Sequence, residues 1–88
     1  MFVCVVGVIY LEGYRLRLRF SDGVVKDVDL EQELHGEVFE PLRDTELFRA
    51  VAVNPNTNTI EWPNGADFAP EFLYKIGTTV VSAEATAA

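Results

Sequence analysis

The sequence predicts an α+β fold: a small antiparallel sheet of about five strands, made of two hairpins plus an N-terminal strand, packed with two or three short helices. Three observations lead to it. Tyr14, Leu16, Leu18 and Phe20 alternate with Arg15, Arg17 and Arg19, the period-two pattern of a strand with one buried and one wet face. Turn-forming runs at Ser21-Asp22-Gly23, Asn54-Pro55-Asn56-Thr57-Asn58 and Pro63-Asn64-Gly65 mark reversals next to extended apolar runs. Helical spacing of apolar residues appears only in brief stretches, so the helices must be short. With 88 residues, one hydrophobic core is expected, because two would each be too small to offset the entropy lost on folding.

Residues 3–10 are mostly β-branched and uncharged, which suits a central strand or one covered in a homodimer. The apolar run 1–11 has no basic segment before it and ends at Glu12, Gly13 and Arg15. It falls well short of the about 20 apolar residues a membrane span requires, so a strand is predicted and no membrane association. Ser21-Asp22-Gly23 supplies a hairpin turn, after which Val24, Val25 and Val28 resume an extended pattern with Lys26, Asp27 and Asp29 directed outward. Pairing of these strands would set Arg15, Arg17 or Arg19 beside Asp27 or Asp29, at a fraction of a kcal/mol for each contact.

Over residues 30–42, Leu34, Val38, Phe39 and Leu42 fall at helical offsets, but Gly36 and Pro41 restrict them to short turns. Asp44 or Thr45 caps the following helix, with Leu47, Phe48 and Val51 facing the core. Val51 and Val53 open a second hairpin whose return strand is 59–62. Pro70 starts a last helix that turns Phe72, Leu73 and Ile76 inward, with Asp67 placed to cap it. The folded domain is expected over residues 1–76, and the small polar residues 77–88 are expected to be a flexible tail.

Fourteen acidic residues against seven basic ones give a net charge of −7, which repels polyphosphate and attracts basic protein surfaces. Cys4 is the single cysteine, so no internal disulfide forms, consistent with a reducing, cytoplasmic setting. Nucleophilic catalysis would fall to Cys4 with His35, yet a thiol inside an apolar strand is an inert small hydrophobe. One Cys and one His cannot assemble a zinc site, and Asp27, Asp29, Glu31 and Glu33 lack the pattern of a calcium loop. The glycines are scattered singly, with no phosphate-binding loop. No cofactor, no metal and no enzymatic activity are expected.

Three motifs occur in order: the strand from Tyr14 through Arg15-Leu16-Arg17-Leu18-Arg19-Phe20-Ser21-Asp22-Gly23, the step Phe39-Glu40-Pro41-Leu42-Arg43-Asp44, and the loop Trp62-Pro63-Asn64-Gly65-Ala66-Asp67. In these the chain resembles the domain-of-unknown-function family 2442 over roughly residues 3–76. The resemblance implies a small α+β fold without enzymatic activity, found alone or ahead of a helix-turn-helix domain. It also implies frequent encoding beside a small partner protein, in an arrangement like a toxin–antitoxin pair. No helix-turn-helix segment is read in this sequence, so DNA binding through one is not expected.

The expected function is a non-enzymatic protein-binding module, the partner-neutralising, antitoxin-like member of a small two-protein operon. Its partner would be the small protein encoded nearby. The residues assigned to partner binding are Arg15, Arg17, Arg19, Trp62, Asn64 and Asp67. For the loop a second reading stands beside this one, in which Trp62 covers the end of the core, Asn64-Gly65 turns the chain and Asp67 caps the last helix. The alternative function is a nucleic-acid-binding regulator using the Arg15, Arg17 and Arg19 face. Self-association into a homodimer is expected from the apolar run 3–9.

Overall fold

A computed structural model describes residues 3–80. Four strands, β1 (Val5–Glu12), β2 (Arg15–Phe20), β3 (Val25–Asp29) and β6 (Thr78–Thr79), form an antiparallel sheet in the order β1-β2-β3-β6. A second, two-stranded sheet pairs β4 (Ala52–Asn54) with β5 (Thr59–Glu61). The helices are α1 (Thr45–Phe48) and α2 (Pro70–Ile76), with 3-10 turns at Glu31–Glu33 and Glu40–Arg43. The predicted α+β class, the two hairpins and the short helices are all present. No helix among the described residues is long and apolar enough to cross a membrane.

Local chemistry accounts for most boundaries. Between β2 and β3 the chain reverses through Gly23 at φ 90°, a conformation side chains disfavour, while the Asp22 carboxylate accepts the Val24 N–H at 3.0 Å. Asp44 caps α1, its Oδ1 accepting the Glu46 N–H at 3.0 Å. In the Asn54–Thr57 turn, the Asn54 side chain accepts the Asn56 N–H at 2.8 Å, and Asn58 closes the hairpin at φ 63°.

The core lies against one face of the four-stranded sheet. Leu16, Leu18 and Phe20 of β2 and Val28 of β3 are buried there together with Val3, Val5, Leu30, Leu34, Leu42, Phe48, Ile60, Trp62, Ala66 and Leu73. Burying a Leu, Val or Phe side chain contributes about 1.5–3 kcal/mol, and this supplies the stability that such short elements lack by themselves. Trp62 sits amid an aromatic group, its ring centroid 5.6 Å from that of Phe48 and 6.0 Å from that of Phe68, and its Nε1 donates to the Phe48 carbonyl at 2.8 Å.

Five expectations need correction. The strands divide into two sheets, because β4 and β5 are three residues each and turn Ile60 toward the shared core instead of extending the ladder of β1. β1 is an edge strand rather than a central one: the second hairpin reaches it with one backbone bond, Val5 N–H to the Asn58 carbonyl at 2.9 Å. Lys26 is not directed outward; it shares the Leu18 face, and its Nζ donates to the Tyr74 carbonyl at 2.7 Å. Asp67 does not cap α2, whose N-cap is Ala69 without a side-chain bond, because Asp67 is held two residues earlier in a bridge with Glu61.

The fifth concerns the tail, which was expected to begin at residue 77. Thr78 and Thr79 instead pair with Asp27 and Lys26, and the Val80 N–H donates to the Val25 carbonyl at 2.9 Å. The open edge of β3 offers these bonds, and Gly77 lets the chain pass close enough to take them. Residues 81–88 of the expected tail lie outside the described residues.

A Cβ on Gly77 would stand 2.9 Å from Lys26 Cβ, 3.0 Å from Val28 Cγ1 and 3.1 Å from the Leu73 carbonyl. Gly77→Ala is therefore expected to destabilise the protein by about 1–3 kcal/mol through overpacking, read as a lower urea midpoint.

Candidate functional site

The face of the four-stranded sheet opposite the core collects the side chains that sequence reading singled out on β2. Alternation sends Arg15, Arg17 and Arg19 to this outer face while Leu16, Leu18 and Phe20 enter the core. The ladder then sets their neighbours. Arg19 lies between Gly7 and Val25, Arg17 between Ile9 and Asp27, and Arg15 between Glu12 and Asp29. Ile9 is 62% exposed and Val6 46%, so the helices leave this face open at its β1 side.

Each guanidinium has different surroundings. Arg17 meets Asp27 as a fork, Nε to Oδ1 at 2.8 Å and Nη2 to Oδ2 at 3.1 Å. This bond, against a smaller opposing effect of burial and with help from the charges of Arg17 and Arg15, holds the Asp27 carboxyl below its ordinary value of 3.8. Arg15 Nη1 reaches Glu12 Oε2 at 3.2 Å, but both side chains are well exposed, so the pair contributes at most about 1 kcal/mol. Arg19 lies over Gly7, where an added Cβ would come 3.3 Å from its Cζ, and it forms no ion pair among the described residues.

Two open grooves flank the arginines. One runs along Gly7, Ile9, Arg17, Arg19 and Val25, and the other between Arg15, Arg17, Asp27, Asp29, Thr78 and Thr79. The arrangement offers aliphatic surface beside hydrogen-bonding groups whose charges are largely offset in place. Such a surface suits contact with another macromolecule more than the enclosure of a small molecule.

The other three assigned residues are elsewhere. Trp62 is 1% exposed with its indole N–H satisfied, so it cannot anchor a partner and instead fills the core. Asn64 is exposed but occupied, its Nδ2 donating to the Val38 carbonyl at 2.9 Å and its Oδ1 accepting the Ala66 N–H at 3.1 Å. Those bonds fasten the loop around Gly65, which has φ 90°, to the segment before the second 3-10 turn. Asp67 is exposed beside β5. Of the six, then, the three arginines come together and the Trp62 loop belongs to the architecture.

Sequence reading took Gly7 and Ile9 only as part of the apolar run 3–9 and did not set them beside the arginines, although the bare glycine in an apolar strand was a signal for close approach by a neighbouring group. It also passed over the tie between α2 and the β2–β3 turn. The Tyr74 hydroxyl donates to Asp22 Oδ2 at 2.8 Å, and the Lys26 ammonium lies 4.0 Å from the Tyr74 ring centre. The Val24 N–H and then the Tyr74 hydroxyl lower the Asp22 pKa, while the same bond to Asp22 raises that of Tyr74. Cys4 is half-buried, its N–H donating to the Ser21 hydroxyl at 3.0 Å and its carbonyl accepting the Ser21 N–H at 2.8 Å, and His35 is exposed after the first 3-10 turn. Among the described residues no group of three or more His, Cys, Asp or Glu is placed to hold a metal ion.

A family model described as protein of unknown function, DUF2442, matches residues 5–79, from the first residue of β1 to the last of β6. Neither curated proteins nor solved structures give a match.

Because the folded-state pKa of Asp27 is depressed, its pair with Arg17 stabilises the fold above the ordinary carboxylate value of 3.8 and loses that contribution as pH falls through the lower folded value. Asp27→Asn is expected to cost about 1 kcal/mol at neutral pH, a difference from wild type that shrinks at acid pH as the Asp27 carboxyl is protonated. Urea unfolding at neutral and at acid pH measures the difference.

Proposed function

The chain belongs to the DUF2442 family, and from that premise we propose that it is a non-enzymatic protein-binding module that docks through the outer face of its four-stranded sheet. The single observation that carries this reading is the composition of that open face, in which exposed Ile9 adjoins Arg17, already forked onto Asp27, half-exposed Val25 adjoins Arg19, and Arg15 is bridged to Glu12. A face of this kind gives a protein partner apolar contact and directional hydrogen bonds without a large charge to desolvate. In the finer form of the proposal the partner is the small protein encoded beside this one, and the module neutralises it as an antitoxin does. The net charge of −7 favours a basic partner by raising the rate of encounter.

The second reading, a nucleic-acid-binding regulator, has in its favour that three guanidiniums share one face at about 6.6 Å intervals along a strand. It is the weaker one. Arg17 is forked onto Asp27 and Arg15 bridged to Glu12, so a phosphate would have to displace carboxylates within a field of net negative sign.

Co-expression with the neighbouring gene product is expected to give a complex at micromolar concentration, weakened at least tenfold by Val25→Arg, which sets a second cation beside Arg19 and so puts an unpaired charge into the contact. Absence of any complex rejects the proposal. Titration with DNA and RNA pools at low salt separates the readings: binding abolished by Arg19→Glu would favour the regulator instead.

A further inference from the structure

Between the two irregularities in its pairing with β2, at Val5/Gly7 and Tyr10/Glu12, β1 runs regularly over residues 7–10. The direction of its peptide groups there follows from β2. Phe20 donates to Val24 and the Tyr14 carbonyl accepts from Leu30, so the even-numbered residues of β2 serve the β3 side. Ser21, an odd-numbered neighbour, donates to Cys4 on the β1 side. Arg17 and Arg19 therefore bond to Ile9 and Gly7, and Val8 and Tyr10 direct their N–H and C=O groups away from the sheet. Among the described residues no backbone hydrogen bond reaches them: the second hairpin packs against β1 but bonds to its backbone only at Val5.

Edge strands are ordinarily protected by lysine, proline or inward charge, and residues 7–10 have none of these while presenting Ile9 at 62% exposure. The charges at the two ends of β1 are opposite in sign. At one end the Arg19 guanidinium, without an ion-pair partner among the described residues, lies over Gly7. At the other, Glu12 keeps its side chain 75% exposed although it is bridged to Arg15, a solvent-exposed pair that costs little to share.

We propose that the occupant of this edge is a second copy of the chain, paired antiparallel along β1 about a two-fold axis through Ile9. An axis perpendicular to the sheet keeps outer face on outer face, so Ile9 meets Ile9 of the second copy as a close, non-hydrogen-bonded pair. Val8 and Tyr10 then exchange backbone hydrogen bonds with Tyr10 and Val8 across the axis. The same register carries Glu12 of each copy to the neighbourhood of Gly7 in the other, where the Arg19 guanidinium waits, and symmetry makes the contact twice. Gly7 is the residue that permits it, since any side chain there would stand between the charges. The pairing joins two sheets into one and leaves the Val25 side of the outer face open, so it goes beyond the docking function and does not depend on it.

Sedimentation of the full chain from micromolar to millimolar concentration is expected to show a dimer. Ile9→Lys, which sets like charges on the axis, should return it to monomer with circular dichroism and Trp62 fluorescence unchanged. Glu12→Arg and Arg19→Glu should each weaken dimerisation about tenfold, and the double variant should recover it. Should Ile9→Lys fail to fold, Ile9→Cys in a Cys4→Ala background decides: residues facing each other on the axis are close enough for an interchain disulfide under mild oxidation. A wild-type monomer at every concentration overturns the proposal and leaves the edge to a strand of another protein, as does a dimer indifferent to Ile9→Lys or an Ile9→Cys chain that does not cross-link. None of these results touches complex formation with the neighbouring gene product, whose own failure would leave the dimer standing.

Discussion

Side chains on a β-strand point alternately to its two faces, and in β2 that alternation separates three large apolar side chains from three guanidiniums. β2 is bonded along both edges, to β1 and to β3, so its two faces become the two faces of the sheet. A slip of one residue would bury arginine and expose Leu16, Leu18 and Phe20, at a cost no other part of so small a protein could offset. Core on one side and open polar surface on the other both derive from this register.

The short elements opposite the sheet depend on the core more than on their own hydrogen bonding. A four-residue helix such as α1 has no stability in isolation, because its single turn barely offsets the entropy of nucleation. It persists here because Asp44 caps its start and because Phe48, at its end, is packed edge-on against Tyr14 and gives its carbonyl to the Trp62 indole. The β4–β5 pair is similarly held, through Ile60 and the Thr59 hydroxyl, which donates to the Phe68 carbonyl at 2.6 Å. Trp62 thus connects the loop that most distinguishes the sequence with the helix that precedes it, a structural duty that accounts for its burial.

Electrostatically, the outer face departs from the rest of the surface. The protein is acidic overall, yet on this face Arg15 and Arg17 are matched by carboxylates at short range while Arg19 is not. Short-range matching favours specific, oriented contact over indiscriminate attraction, because the Arg17 fork onto Asp27 already has a direction. The β1 side of this face is where aliphatic exposure, a bare glycine and unpaired peptide groups converge.

By itself the sequence determined the class of fold, the hairpins, a helix cap at Asp44 or Thr45 and the shared face of Arg15, Arg17 and Arg19, because alternation, turn chemistry and capping are properties of residues close together in the chain. It left open which strands would adjoin across long separations. The division into two sheets, the edge position of β1, the recruitment of Thr78 and Thr79 beside β3, and the burial of Trp62 were decided by tertiary packing. Each depends on contacts between segments tens of residues apart, where a tryptophan in a turn-rich loop reads the same whether it faces water or a phenylalanine. The candidate site was legible to the same extent: its arginines could be read from β2 alone, while Gly7 and Ile9 joined them only once a neighbouring strand was placed in register.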